Sequence, residues 1–384
     1  MSEQMGTVKD YMRWRGDLLF LQNPFNDIDA LILSMLSYLP FKDIVPGADS
    51  RKSISLKEAA NQYFLKIPTA EEKSSEIDLT VSPAMDAELF ELLKYVSHSP
   101  RFAEMQLSRY EEKTDFVAGQ QFAAMMFSLP NTKREKVIAF RGTDNTLIGW
   151  KEDFEMAFME QIPAQRSACM YLKRNIDLLS GKVTVCGHSK GGNLAVYAAS
   201  CLESLDRTRL SRIINFDGPG FNFSILPRSS FSHCEDKVVN YVPEESVVGI
   251  LLGHVGKRHV ITSSARSVFQ HNPLTWGVQR TEFTPGNLSD TTKLLESALK
   301  TWLAEISLDR RKAFIDALFD ILGASEGKTI DLKEGLKDIN QVIKNFSNLD
   351  EDTKKMLAEV FSSIVEQTKN TLSETLKEKL SINK

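Results

Sequence analysis

At 384 residues the chain has room for one large domain and an appendage. Its charged fraction of 26% and hydrophobic fraction of 42% are those of an ordinary globular protein. A net charge of −4 leaves no electrostatic footprint for nucleic acid, and no run approaches the ~18 apolar residues of a membrane span.

The N-terminus lacks the charged region and apolar run of a signal peptide. The four cysteines, Cys169, Cys186, Cys201 and Cys234, show no C-x-x-C or metal-ligand spacing. Two of them lie in apolar runs and read as buried thiols rather than disulfides. The simplest expectation is a cytoplasmic, reduced protein that needs no metal and no cofactor.

In chain order, Asn26 and Asp27 precede the apolar run 31–39 and resemble an N-cap ahead of a helix. A short helix is predicted over 56–64, with Ser55 placed to cap it and Glu58 three residues on. The acidic stretch 69–80 reads as a surface loop, and Leu89, Leu92, Leu93 and Val96 give 84–96 a helical period. Residues 66–115 are set aside as an insertion or lid. Next come two β-like runs, 120–129 and 136–140, around the turn-rich Pro130-Asn131-Thr132, which together predict a hairpin. The second run exits through Arg141-Gly142-Thr143. A glycine there lets backbone approach a ligand, so Thr143 is a candidate oxyanion donor, or else part of a plain polar turn. A helix over 164–179 then leads into the strand-like 182–186.

That strand runs into Gly187-x-Ser189-x-Gly191 and a helical segment, 193–201. Strand, tight turn with serine, and helix make a nucleophile elbow. Small residues at Gly187 and Gly191 let strand and helix approach each other. The turn lifts the serine hydroxyl above the sheet edge, over a helix N-terminus, where the Lys190 N–H faces a developing oxyanion.

Further strands are predicted at 212–216, 237–242 and 258–262. The first ends at Asp217-Gly218-Pro219-Gly220 and the second at Pro243-Glu244-Glu245-Ser246, on the same rim as Ser189. From Ser289 glycine becomes sparse and apolar residues take helical spacing: Leu294, Leu295, Ala298, Trp302, then Phe314, Ala317, Leu318, Ile321. Helices over 329–346 and 350–380 follow. The expected organisation is an α/β domain over 1–288 and a helical region over 289–384. The apolar stripes of that region read as core, with a partner or peripheral membrane surface as the alternative.

A serine hydroxyl needs an imidazole to take its proton and a carboxylate to orient that imidazole. Of the six histidines, His271 follows the last predicted strand in a loop able to return over the elbow; His254 is its rival. His188 is expected to point away, and His259 to be structural. Asp217 and Glu245 compete for the acid. Asp217 is the shorter and is tied down by Gly-Pro-Gly, whereas Glu245 sits in a paired acidic turn.

These residues carry a family resemblance. Val137-Ile138-Ala139-Phe140-Arg141-Gly142-Thr143 with Trp150, and Gly187-His188-Ser189-x-Gly191-Gly192, resemble the class 3 lipases, which are α/β-hydrolases. Phe216-Asp217-Gly218-Pro219-Gly220-Phe221 and Gln270-His271-x-Pro273 are similar to an uncharacterised lipase-like family of Gram-positive bacteria. So is the opening around Trp14-Arg15-Gly16-Asp17-Leu18. The resemblance covers roughly residues 8–280. It implies an α/β-hydrolase fold, a mostly parallel sheet flanked by helices with a C-terminal helical extension. It further implies a bacterial serine esterase or lipase acting on a small-molecule or lipid ester, with Ser189 as nucleophile and the amides of Thr143 and Lys190 as oxyanion donors. The chain departs from the class 3 pattern in three places. Lys190 stands where those lipases have leucine, glutamate stands in the 240–246 region where they have aspartate, and the C-terminal helices have no counterpart. A reading of another class remains beside it: a hydrolase fold used as a binding or scaffold module through its helical tail.

Overall fold

The computed structural model describes residues 6–66, 83–115, 119–143, 155–156, 159–176 and 181–305, with 312 and 351 besides. Trp150, the loop at 69–80, the stripe at 314–321 and all of the helices expected at 329–346 and 350–380 but residue 351 lie outside these residues.

Two helices open the chain, α1 (Val8–Arg15) and α2 (Asp27–Leu36). The Asn26 side chain accepts the N–H groups of Ile28 and Asp29, and the Asp29 carboxylate accepts the Asn26 N–H. This reciprocal cap satisfies donors that the first turn leaves open. Every residue from Ile28 to Leu36 is buried, so α2 has no solvent face and belongs to the interior. Asp29 is buried there because Arg101, itself fully buried, holds it at 2.5 Å.

After the short β1 (Ile54–Ser55), α3 (Leu56–Lys66) begins where Ser55 Oγ accepts the Glu58 N–H at 3.2 Å. Helix α4 (Pro83–His98) and strand β2 (Gln106–Asp115) follow. The segment 66–115, expected as an insertion or lid, therefore ends in a strand of the main sheet. The charged sequence of β2, with Arg109, Glu111, Glu112 and Lys113, hides it from a search for apolar runs.

The chain continues through β3 (Gln120–Ser128), β4 (Lys136–Phe140), α5 (Pro163–Asn175), β5 (Val183–His188), α6 (Lys190–Ser200), the one-turn α7 (Ser204–Arg207), β6 (Leu210–Phe216), β7 (Val238–Pro243) and β8 (Lys257–Ile261). The eight strands stand side by side in chain order. Pairing from β1 through β4 is antiparallel and from β4 through β8 parallel. Right-handed crossovers between parallel strands need helices on the sheet faces. Helix α6, between β5 and β6, packs on β4, β5 and β6, and α2, from ahead of the sheet in the chain, packs on the same strands.

Strand β4 shows the layering residue by residue. Val137 and Ala139 belong to the core shared with α2, whereas Ile138 and Phe140 belong to the core shared with α5 and α6. All six residues of β5 are buried, as a central parallel strand requires. Register aligns Phe140 with Gly187 and His188 with Phe216. Gly142, Ser189 and Asp217 thus leave the sheet at one common edge.

Cys169 on α5 and Cys201 at the end of α6 form a disulfide, with Cα atoms 5.8 Å apart. The expectation of a buried thiol in an apolar run fits Cys186; Cys234, in a polar stretch, is free and buried as well, and burial pushes the Cys186 thiol up to about 12 and that of Cys234 to about 11. It does not fit Cys201, at the end of the apolar run 193–201, because α5 and α6 lie alongside each other and bring Cys169 to it.

Beyond the sheet lie β9 (Val278–Gln279), β10 (Glu282–Phe283) and α8 (Asp290–Glu305). Helix α8 is tied to β8 by Arg258 and Glu296 at 2.9 Å. It buries Leu295 and leaves Leu294 72% exposed, so Leu294 is not part of an apolar stripe facing the domain. Among the described residues no helix is long and apolar enough to cross a membrane.

Candidate active site

The turn after β5 is as tight as the glycines suggest. A Cβ on Gly187 would collide with the Gly191 backbone, and one on Gly191 with the Phe140 carbonyl. Ser189 sits between them at φ 57°, ψ −133°, a conformation that raises its side chain off the sheet edge. Its N–H donates to the Phe216 carbonyl at 2.9 Å, and its own carbonyl accepts the Gly192 N–H at 2.9 Å.

Ser189 Oγ lies 3.0 Å from His271 Nε2, and His271 Nδ1 lies 2.7 Å from Asp217 Oδ2. A carboxylate only accepts, so Nδ1 carries the proton and Nε2 offers its lone pair to the serine hydroxyl. The His271 side chain is 25% exposed, while that of Asp217 is completely buried. This is the arrangement a general base needs: one nitrogen open toward reactants, the other anchored in the protein.

Asp217 also has φ 50° and is held on every side. Its Oδ1 accepts the Ser246 hydroxyl at 2.5 Å and the Gly249 N–H at 3.2 Å. Buried amides shape the turn behind it. Asn193 of α6 donates to the carbonyls of Pro219 and Gly220 at 3.2 and 2.8 Å and accepts from Gln165 at 2.8 Å. Asn215 accepts the Gly218 N–H at 2.8 Å and donates to Asn240 at 3.0 Å. Leaving any of these carbonyls unbonded in the interior would cost free energy, so the turn is fixed.

The rival residues lie elsewhere. Glu245 does not reach His271. Its N–H donates to Gln270 Oε1 at 2.8 Å, and its carboxylate accepts from Gln270 Nε2 at 3.2 Å and from the Ser267 N–H. It clamps the loop that carries His271, helped by Trp276 Nε1 donating to the Gln270 carbonyl at 2.7 Å. Asn272, next along, donates to Glu88 of α4 at 2.7 Å. His254 Nε2 donates to the Gly218 carbonyl at 3.1 Å, and burial pushes its pKa down. It buttresses the Asp217 turn instead of facing Ser189. His259 stacks on Tyr241, with ring centroids 5.4 Å apart.

Thr143 and Lys190 lie where expected in the chain, one past the exit of β4 and the other first in α6. The Lys190 side chain, however, is fully buried and is not displayed to solvent. His188 does not point away. Its ring centroid is 4.6 Å from that of His271, its Nε2 is 2.8 Å from the His271 carbonyl, and its Nδ1 is 2.9 Å from the Tyr38 hydroxyl. Tyr38, Ser246, Gly249, Asn193 and Gln270 escape sequence reasoning, since each acts through a partner distant in the chain. Among the described residues, no group of three or more His, Cys, Asp or Glu side chains could hold a metal ion.

A parallel sheet in this order, with the serine turn after a central strand and the acid after the next, defines an α/β-hydrolase fold. The chain belongs to the Mbeg1-like family, whose model matches residues 96–320. No curated protein matches it. Among solved structures, M37 lipase is similar at 14% identity and a TM-score of 0.36, covering 58% of this chain and 68% of that one.

Proposed function

We propose that the protein is a serine carboxylic-ester hydrolase of the esterase or lipase type. The observation that carries this reading is the unbroken line of hydrogen bonds from Ser189 through His271 to Asp217. In the reaction, Ser189 Oγ attacks the ester carbonyl while His271 Nε2 takes the hydroxyl proton. Asp217 holds the other ring proton and offsets the charge of the imidazolium. The oxyanion is stabilised by the amides of Lys190, at the positive end of α6, and of Thr143. The tetrahedral intermediate collapses, the carbon–oxygen bond breaks, and the leaving alkoxide receives the proton from His271. Water, deprotonated by the same nitrogen, then cleaves the acyl-enzyme and restores Ser189.

The substrate class is a small-molecule or lipid ester. A scaffold role would favour a His271 far from Ser189, and the 3.0 Å separation speaks against it. The test is labelling by a fluorophosphonate, read by mass spectrometry, together with turnover of p-nitrophenyl esters. We expect a single adduct on Ser189 and none in Ser189→Ala. Folded protein that neither labels nor turns over any ester refutes the proposal.

A further inference from the structure

The mechanism above leaves one buried imidazole without a task. His188 precedes the nucleophile, is 1% exposed, and lies beside the base. We propose that Tyr38 and His188 are a positioning pair that fixes the height of His271 over Ser189 by holding the His271 backbone carbonyl. This rests on the reading of Ser189 and His271 as nucleophile and base.

The tautomer follows from the partners. A carbonyl only accepts, so the His188 nitrogen 2.8 Å from the His271 carbonyl, Nε2, bears the proton. In the neutral ring Nδ1 is then a lone pair, and the Tyr38 hydroxyl, 2.9 Å away, donates to it. Tyr38 is itself 1% exposed and follows α2, whose residues Ile28 to Leu36 are all buried. With the proton on Nε2, the hydroxyl donates to Nδ1 and holds the ring with Nε2 toward the His271 carbonyl. The same hydroxyl abuts the exit of β4, where a Cβ on Gly142 would collide with it. One phenol thus braces two parts of the site, the strand end that leads to Thr143 and the ring that supports the base.

The loop bearing His271 is clamped on its other side by Glu245 through Gln270. Asn272 ties the loop to Glu88 of α4 and Asp217 holds the ring, while His188 is the group bonded to the His271 carbonyl itself. Ring neutrality matters too. Burial, and next the neighbouring His271, keep the His188 pKa well below its usual value. When His271 takes the serine proton, the imidazolium forms 4.6 Å from an uncharged ring, and no like-charge repulsion opposes it.

The test compares Tyr38→Phe, His188→Gln and His188→Leu with the parent, each checked for folding by thermal melting. The amide nitrogen of the introduced glutamine can take the place of Nε2 and still donate to the His271 carbonyl; leucine cannot. We expect kcat to fall roughly tenfold in Tyr38→Phe with KM within about twofold, because the loss is one of alignment and not of substrate binding. His188→Gln should stay within about threefold of the parent, while His188→Leu loses about a hundredfold. Should Tyr38→Phe fail to fold, the difference between the Gln and Leu variants decides.

A second readout does not need turnover. In protein labelled with ¹⁵N-histidine, the His188 signals should report a neutral ring protonated on Nε2, and Tyr38→Phe should shift the His271 Nδ1–H resonance. A parent His188 protonated on Nδ1, an unmoved His271 signal, or equal kcat in the Gln and Leu variants overturns the inference. Parent protein with the expected tautomer but no ester turnover and no fluorophosphonate adduct instead sinks the hydrolase reading, and the His271 resonance still judges the pair.

Discussion

Replacing Asp217 by asparagine probes the site with the least change in shape. The carboxylate has two different jobs. Oδ1 accepts from Ser246 Oγ and the Gly249 N–H, while Oδ2 accepts from His271 Nδ1. An asparagine has one acceptor oxygen. The two donors on the Ser246 side hold that oxygen, so the amide NH₂ is turned toward His271. Nδ1 must then become an acceptor, the ring proton moves to Nε2, and the nitrogen 3.0 Å from Ser189 can no longer take its proton. The loss expected for the wrong tautomer is about 10⁴-fold in kcat, or about 5 kcal/mol of barrier. The assay is p-nitrophenyl butyrate hydrolysis under saturating substrate, with circular dichroism and a melting curve to establish that the variant is folded. Activity within about tenfold of the parent would refute the tautomer argument and remove Asp217 from its proposed role.

Other outcomes follow from the same contacts. Gly249→Ala sets a methyl against Asp217 Oδ1, so turnover should drop while thermal stability changes less than activity; a variant with parental kcat would show that the carboxylate can retreat harmlessly. Asn193→Leu strips donors from two buried carbonyls, those of Pro219 and Gly220, and should lower unfolding free energy by about 3 kcal/mol in urea titration. A change under about 1 kcal/mol would mean that water replaces the amide. His188 and His254 both have pKa values lowered from 6.5 by burial. Between the folded and unfolded pKa values the unfolded chain binds more protons, so stability falls as pH drops below about 6.5. Melting temperature at about pH 5 should lie below that at neutrality, with a shallower fall in His188→Gln; a rise on acidification contradicts this.

The central strands of the parallel half were legible because they are buried and read as short apolar runs, such as 182–186 and 212–216. Strand β2 was not, since its polar sequence pairs with the sheet through its backbone, and Glu111 is buried only through ion pairing with Lys113 and Arg174. Helix α1 was missed for a similar reason. Val8, Tyr11 and Met12 bury one thin stripe among charged neighbours, and that burial is tertiary. At the candidate site, strand-end positions pointed to Ser189 and Asp217, and chain order to His271. What chain order does not encode is which side chains reach across. Glu245 and Asp217 are alike as strand-end acids, and only folding reveals that one holds a loop while the other faces a ring. His188 was misjudged because its direction depends on Tyr38, 150 positions away.

The left-handed backbones of Ser189, φ 57°, and Asp217, φ 50°, carry a further consequence. Both residues store conformational strain, which the rest of the domain must offset. Glycine would relieve that strain at Ser189, whereas at Asp217 it would also strip the acceptor from three donors. Ser189→Gly should therefore melt higher than Ser189→Ala, although both lack the hydroxyl. Backbone strain in the domain thus falls on two side chains that the proposed chemistry can least surrender.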